Sequence, residues 1–306
     1  MNRCPRPAPL PRRTLARWPA IQIAAITLGL TTGRCTAPAG WSLDADGERL
    51  AAHAADVSSG IEYALAGASL ITEIDLAGPG GVAGAQASLA WLMGPCVQSR
   101  PLGSLEPTRQ GGPESKGGRA VEVSFAAAGC AVPTTFLTFA GSLSGAVVDD
   151  KGTLEVRYAK LRVSSFEIDG VMTLVPLSAR TFRFSAHGLR VTNGTTIQSL
   201  DATGVVGLTT DHALFRAAGT LLGGAQDLYL FEARDVARSF ADGCYPNRGH
   251  VIVTDASTPR AAPLTAALDF DNDPRGLGTD VSGDARLTYD NHTASLPMPY
   301  RDCPGR

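Results

Sequence analysis

Lysine is almost missing from this chain. Lys116, Lys151 and Lys160 are the only three of its 27 basic residues that are not arginine. Charged residues make up 18% and aromatic residues 6%. No basic run occurs beyond residue 39, where 21 basic face 29 acidic groups. Tight nucleic-acid binding needs clustered Lys and Arg to release counterions, so DNA, RNA and anionic lipid surfaces are excluded as electrostatic partners. Scarce, scattered aromatics exclude an outer-membrane barrel with aromatic girdles. Long hydrophobic runs are also lacking. The clearest, Ile21–Leu30, falls short of the roughly 20 residues that span a bilayer. The motifs G-x-S-x-G, S-x-x-K and H-E-x-x-H are absent, so no short signature of nucleophilic or zinc-protease chemistry is present.

The first 39 residues are what the sequence states most plainly. Arg3, Arg6, Arg12, Arg13 and Arg17 precede Ile21–Leu30 with no acid between them, and Ala37-Pro38-Ala39 follows. A basic stretch, a short apolar stretch and small residues in that order predict an export signal over residues 1–39, and hence the periplasm or cell envelope of a Gram-negative bacterium. Arg12-Arg13-Thr14-Leu15-Ala16 resembles a twin-arginine signal, although an arginine-rich chain also produces such pairs by composition. Cys35 follows Leu30-Thr31-Thr32-Gly33-Arg34, a departure from the lipoprotein box, which takes an apolar residue at Thr32 and a small one at Arg34. Two fates stay open for it: lipidation, which would anchor the protein to a membrane, or removal with the signal.

Cys96, Cys130, Cys244 and Cys303 lie beyond the signal. An even count in an oxidising compartment predicts two disulfides. Four cysteines allow three pairings, of which sequence proximity favours Cys96–Cys130 and Cys244–Cys303, each contributing about 4 kcal/mol by restricting the unfolded chain. No C-x-x-C or C…H-x-x-x-H spacing supports zinc.

Residues 40–98 are alanine-rich with helical spacing. Asp44 or Asp46 caps a helix in which Leu50, Ala51, Ala54 and Val57 share a face. Ser58-Ser59-Gly60 is expected to break it, with Ile61, Leu65 and Ala68 continuing beyond, and a third short helix is expected over Val82–Met93. Residues 99–119 are rich in Pro, Gly and Ser and read as a linker or long loop. From Ala120 the period becomes two. Val121, Val123 and Phe125 alternate with Glu122 and Ser124, and Leu154, Val156 and Tyr158 with Glu155 and Arg157. Turn signals such as Asp149-Asp150-Lys151-Gly152 and Asn193-Gly194 recur between such runs. The fold class expected is mainly β: an antiparallel meander, either a sandwich or a curved half-barrel-like sheet, over residues 120–306, behind an N-terminal helical segment. Ten or eleven strands are expected to Tyr289, with one short helix around Ala233–Phe240. Leu161-Arg162-Val163-Ser164 is echoed by Leu189-Arg190-Val191-Thr192, which successive hairpins or a duplication would both produce.

Candidate sites are few. Asp269, Asp271, Asp273 and Asp280 occupy the first, third, fifth and twelfth positions of a calcium loop, but Pro274 stands where that loop takes glycine and Asp280 where it takes glutamate. Alternating aspartates also suit the wet face of a strand entering a turn. Gly78-Pro79-Gly80-Gly81-Val82-Ala83 fits a dinucleotide fingerprint, but without the alternating strands and helices that give it meaning it reads as a turn. Asn193-Gly194-Thr195 and Asn291-His292-Thr293 match the glycosylation sequon, and the first reads as turn chemistry. His53, His187, His212, His250 and His292 are scattered outside any recognisable motif. No cofactor is expected.

The leading functional expectation is an exported, non-catalytic binding or structural module with an unknown ligand. Helices followed by a long antiparallel meander also resemble the half-barrel lipoprotein carriers, and that resemblance implies a curved sheet holding acyl chains beneath helices. A third reading, an envelope polysaccharide hydrolase, requires two carboxylates about 5–10 Å apart in a cleft.

Overall fold

The computed structural model describes residues 43–72, 89, 94–102, 120–132, 137–194, 196–209, 212–223, 227–239, 246, 248–257, 263–270 and 284–297. The chain from Asp44 onward is one compact unit. It opens with a 28-residue helix, α1 (Ala45–Thr72), started by Asp44, whose Oδ1 accepts the Gly47 N–H at 2.7 Å. That bond satisfies one of the donors left over in a helix's first turn. The expected break at Ser58-Ser59-Gly60 does not occur, and α1 runs straight through it. Gly60 costs the helix about 1 kcal/mol in propensity, but it lets Val191 approach so closely that a Cβ there would lie 3.1 Å from Val191 Cγ2. Gly67 admits Leu161 and Tyr158 in the same way. Packing gained against the sheet outweighs the local preference.

The rest is a single antiparallel meander of 13 strands in sequence order. After a 3-10 turn at Gly94–Cys96 come β1 (Val97–Leu102), β2 (Ala120–Ala131), β3 (Thr138–Val147), β4 (Leu154–Val163) and β5 (Phe166–Ser178). Then follow β6 (Thr181–Asn193), β7 (Thr196–Leu208), β8 (His212–Leu222) and β9 (Leu228–Ser239). The series ends with β10 (Arg248–Asp255), β11 (Thr265–Asp269), β12 (Asp284–Tyr289) and β13 (His292–Pro297). Among the described residues β1 and β13 are edges, so the sheet does not close into a barrel.

The expected meander and N-terminal helix are therefore both present, with two corrections to local assignments. First, the strands begin before the Pro/Gly-rich stretch. Val97–Leu102, placed by the sequence at the end of a helical segment and the start of a linker, form β1 and pair with β2 from Val97↔Phe125 to Leu102↔Ala120. The Cys96–Cys130 link and an Arg100–Glu122 ion pair hold that register. Second, the helix expected around Ala233–Phe240 is strand as far as Ser239. Asp235, at φ 51°, sits in a bulge where the register slips against both β8 and β10. The bulge makes Val236, Ala237 and Arg238 consecutively buried, and that interruption of period two mimics a helical stripe.

The sheet is strongly curved. One ring, Tyr63, lies 4.7 Å from the Phe166 ring of β5 and 5.0 Å from the Arg238 guanidinium of β9. In a flat sheet those strands would be about 19 Å apart. Helix α1 crosses the concave face, from Asp44 beside Tyr289 of β12 to Ile71 against Gly145 of β3. From Val57 to Ile71 every residue of α1 is buried. Such all-round burial marks a core helix or a membrane span; among the described residues no helix is long and apolar enough to cross a membrane.

The echoed sequences end β4 and β6, which run parallel on either side of β5. Val163 pairs with Phe166 and Val191 with Ile168, and a tight turn follows each. The echo is the repeat of a hairpin along one rim of the meander.

Candidate functional site

Where α1 meets the rim formed by β6, β7, β9 and β10, the seam is polar. Arg49, His53 and Asp56 fall at i, i+4 and i+7 and so share a face of the helix. Arg49 Nη2 lies 2.9 Å from Asp46 and 3.1 Å from Asp255 at the end of β10. His53 packs on the Tyr229 ring at 4.2 Å between centroids, and Tyr229 donates its hydroxyl to Asp227 at 3.4 Å. Asp56 accepts from the Gln198 amide of β7 at 2.5 Å and from Asn193 of β6 at 3.5 Å. The same Gln198 nitrogen lies 3.4 Å from His53 Nδ1.

Burial dominates the electrostatics of this cluster. It pushes the Asp56 carboxyl up to about 6, against the two amide hydrogen bonds that favour its charged form. It also lowers the basicity of His53, with help from the Arg49 cation and against the pull of Asp227 and Asp255. A weakened acid and a weakened base thus share one amide.

Deeper in the seam a second cluster is fully enclosed. Glu62 accepts from Ser58 at 2.5 Å and from Arg238 Nη1 at 2.6 Å. The Glu62 and Arg238 side chains are 0% and 4% exposed, and Tyr63 covers the guanidinium. Nearby, the Tyr158 hydroxyl donates to the Ala64 carbonyl at 2.7 Å, and burial raises its ionisation well above the usual tyrosine range.

The convex face is wet. Arg216 meets Asp235 at 2.6 Å and Arg234 meets Glu232 at 2.5 Å, both beside a shallow open depression that also includes Thr203, Val205 and Ala218.

The residues singled out by the sequence fare unequally. Cys96 and Cys130 are joined, with Cα atoms 5.6 Å apart. Cys244, Cys303 and Cys35 lie outside the described residues, as do the export signal, the Gly78–Ala83 fingerprint and most of Val82–Met93. Of the four candidate calcium ligands, Asp269 ends β11 with its carboxylate on Arg286 of β12, while Asp271, Asp273 and Asp280 lie outside the described residues. Among the described residues no group of three or more His, Cys, Asp or Glu is arranged to hold a metal ion.

His187 is exposed, 3.9 Å from Asp201, and His292 faces its own turn carbonyl at 2.7 Å. Sequence reasoning missed Asp56, Gln198, Glu62 and Arg238. Two signals were available: the polar stripe at 49, 53 and 56, and one acid, Glu62, inside an otherwise apolar helical run. Comparison with protein-family models, with curated proteins and with solved structures yields no match.

Proposed function

We propose that this protein is an exported, non-catalytic structural or binding module of the cell envelope, and that the convex face of its sheet is the surface it presents. The observation that carries this reading is the placement of α1. The concavity that would hold acyl chains in a half-barrel carrier holds the chain's own helix, buried on every side from Val57 to Ile71. Tyr158, the Glu62–Arg238 pair and the glycine contacts at Gly60 and Gly67 all fasten that helix to the sheet. The alternating charges on the convex face suit a polar partner.

The test is mass spectrometry of the protein purified from the cells that make it, under native conditions and after lipid extraction. The expected result is a chain lacking its first 33 to 39 residues, with no stoichiometric lipid. An acyl ligand co-purifying one to one would replace this reading with the carrier, and an intact Met1 on envelope-fraction protein would overturn export.

A further inference from the structure

The seam between α1 and the sheet holds an arrangement whose consequence goes beyond the proposed function and does not depend on it. Gln198 is 4% exposed and faces inward from β7. Its nitrogen reaches both Asp56 Oδ2, at 2.5 Å, and His53 Nδ1, at 3.4 Å. An amide nitrogen only donates, so this geometry requires both partners to accept: Asp56 through a carboxylate or carbonyl oxygen, and His53 neutral with its proton on Nε2.

We propose that Gln198 is a proton-coupled amide switch. When Asp56 and His53 each take a proton, both become donors, and a half-turn of the Gln198 amide presents its oxygen, with two lone pairs, to both. The doubly deprotonated and doubly protonated states are fully hydrogen-bonded. A proton on His53 alone leaves a donor facing a donor in a half-buried site, whereas a proton on Asp56 alone does not, because the carboxyl keeps a carbonyl oxygen that accepts. A proton on Asp56, by freeing the amide to turn, therefore favours a proton on His53.

Burial shifts the two groups in opposite directions, raising the Asp56 carboxyl to about 6 and lowering His53 from its ordinary value. The other groups facing the pair are known. From α1 come Arg49, which opposes a charged His53, and Asp46, which is paired with Arg49. Asp227 precedes β9 and Asp255 ends β10, and both favour a charged His53. Tyr229 stacks on the ring, Asn193 of β6 donates to Asp56, and Asp44 with Tyr289 lies further along the helix.

Coulomb attraction alone predicts the opposite sign. Protonating Asp56 removes an anion near His53 and so makes His53 harder to protonate. The sign of the coupling is therefore decisive. In the full chain, the His53 ring and the Asp56 carboxyl carbon are followed by NMR against pH. The expected result is that both titrate together, with a transition steeper than a one-proton curve, and that Gln198→Leu separates the two and removes the steepness. A shallower transition in the wild type, or one that Gln198→Leu leaves unchanged, would overturn the switch. Asp56→Asn gives a check that does not need the leucine variant to fold. Its amide can donate to Gln198 as the protonated acid would, so the His53 midpoint should rise, by up to about one pH unit. A fall in that midpoint would refute the proposal.

Discussion

The two polar clusters along α1 solve the same problem in different ways. Six residues apart on one helix, Asp56 and Glu62 both carry a carboxylate into the seam with the sheet. Glu62 is sealed completely and meets a cation, Arg238, at 2.6 Å. Asp56 is half-buried near the rim and, among the described residues, accepts from two amides, Gln198 and Asn193. Amides satisfy a carboxylate's lone pairs but do not neutralise its charge. The desolvation cost at Asp56 therefore shows as a raised proton affinity, with a value of about 6. The deep pair locks the helix in place, and the rim cluster remains responsive to pH.

Breaking the deep pair should have the largest effect. Arg238→Met leaves Glu62 buried with Ser58 as its remaining partner among the bonds described, and should destabilise the fold by about 3–5 kcal/mol. Combining it with Glu62→Leu should recover most of that loss, since replacing both members with apolar groups also removes the buried charge that has lost its cation. Denaturant midpoints for both variants measure it. If Arg238→Met costs less than about 1 kcal/mol, the charge is not sealed and the contrast with Asp56 fails.

At the rim the expected sign reverses. The folded-state value of Asp56, about 6, lies above its ordinary 3.8, so the folded chain holds this proton more tightly than the unfolded one. The site's contribution is then most favourable below about pH 4, falls as pH rises toward 6, and stays low above that. Asp56→Asn should stabilise the protein by about 1–2 kcal/mol at pH 7, with the advantage vanishing below about pH 4. Thermal unfolding of both proteins across that range shows whether the advantage depends on pH as stated. A constant offset would mean that packing, and not ionisation, separates them.

Tyr158→Phe tests a neutral anchor beside the deep cluster, on its side toward the helix C-terminus. Losing its hydrogen bond to the Ala64 carbonyl should cost about 1 kcal/mol with no change between pH 4 and 8. On the convex face, Arg234→Ala should leave stability almost unchanged, because its pairing with Glu232 is open to solvent screening. A larger loss there would mean that charge matters as much outside the sheet as inside it.

Much of the fold is legible in the sequence because its signals are local. The period-two runs from Ala120 lie in strands, with Val121, Val123 and Phe125 buried as the pattern requires. Asp149 closes the β3–β4 turn by accepting from the Thr153 hydroxyl and from the backbone of Thr153 and Lys151, and the hydroxyl bond does most to hold its carboxyl below the usual range. Asp44 caps α1, and Cys96 meets Cys130. The misreadings at Ser58-Ser59-Gly60 and Ala233–Phe240 share a cause. At the first, Val191 packs against Gly60 from 131 positions away in the chain, and at the second, a bulge breaks the alternation on which the reading depends.

By itself, then, the sequence determined the meander, the cap and the turns, because each rests on side chains acting on their own backbone or on near neighbours, and one cysteine pair, because its two members are the nearest along the chain beyond residue 39. Only the tertiary structure decided that the helix would be continuous, that it would fill the concavity of the sheet, and that Asp56 would find Gln198 and Glu62 would find Arg238. Those partners are separated by 142 and 176 positions, and nothing in local periodicity encodes which buried acid meets an amide and which meets a cation. Curvature of the sheet brings them together, and curvature follows from how glycines, bulges and the buried helix fit one another in three dimensions.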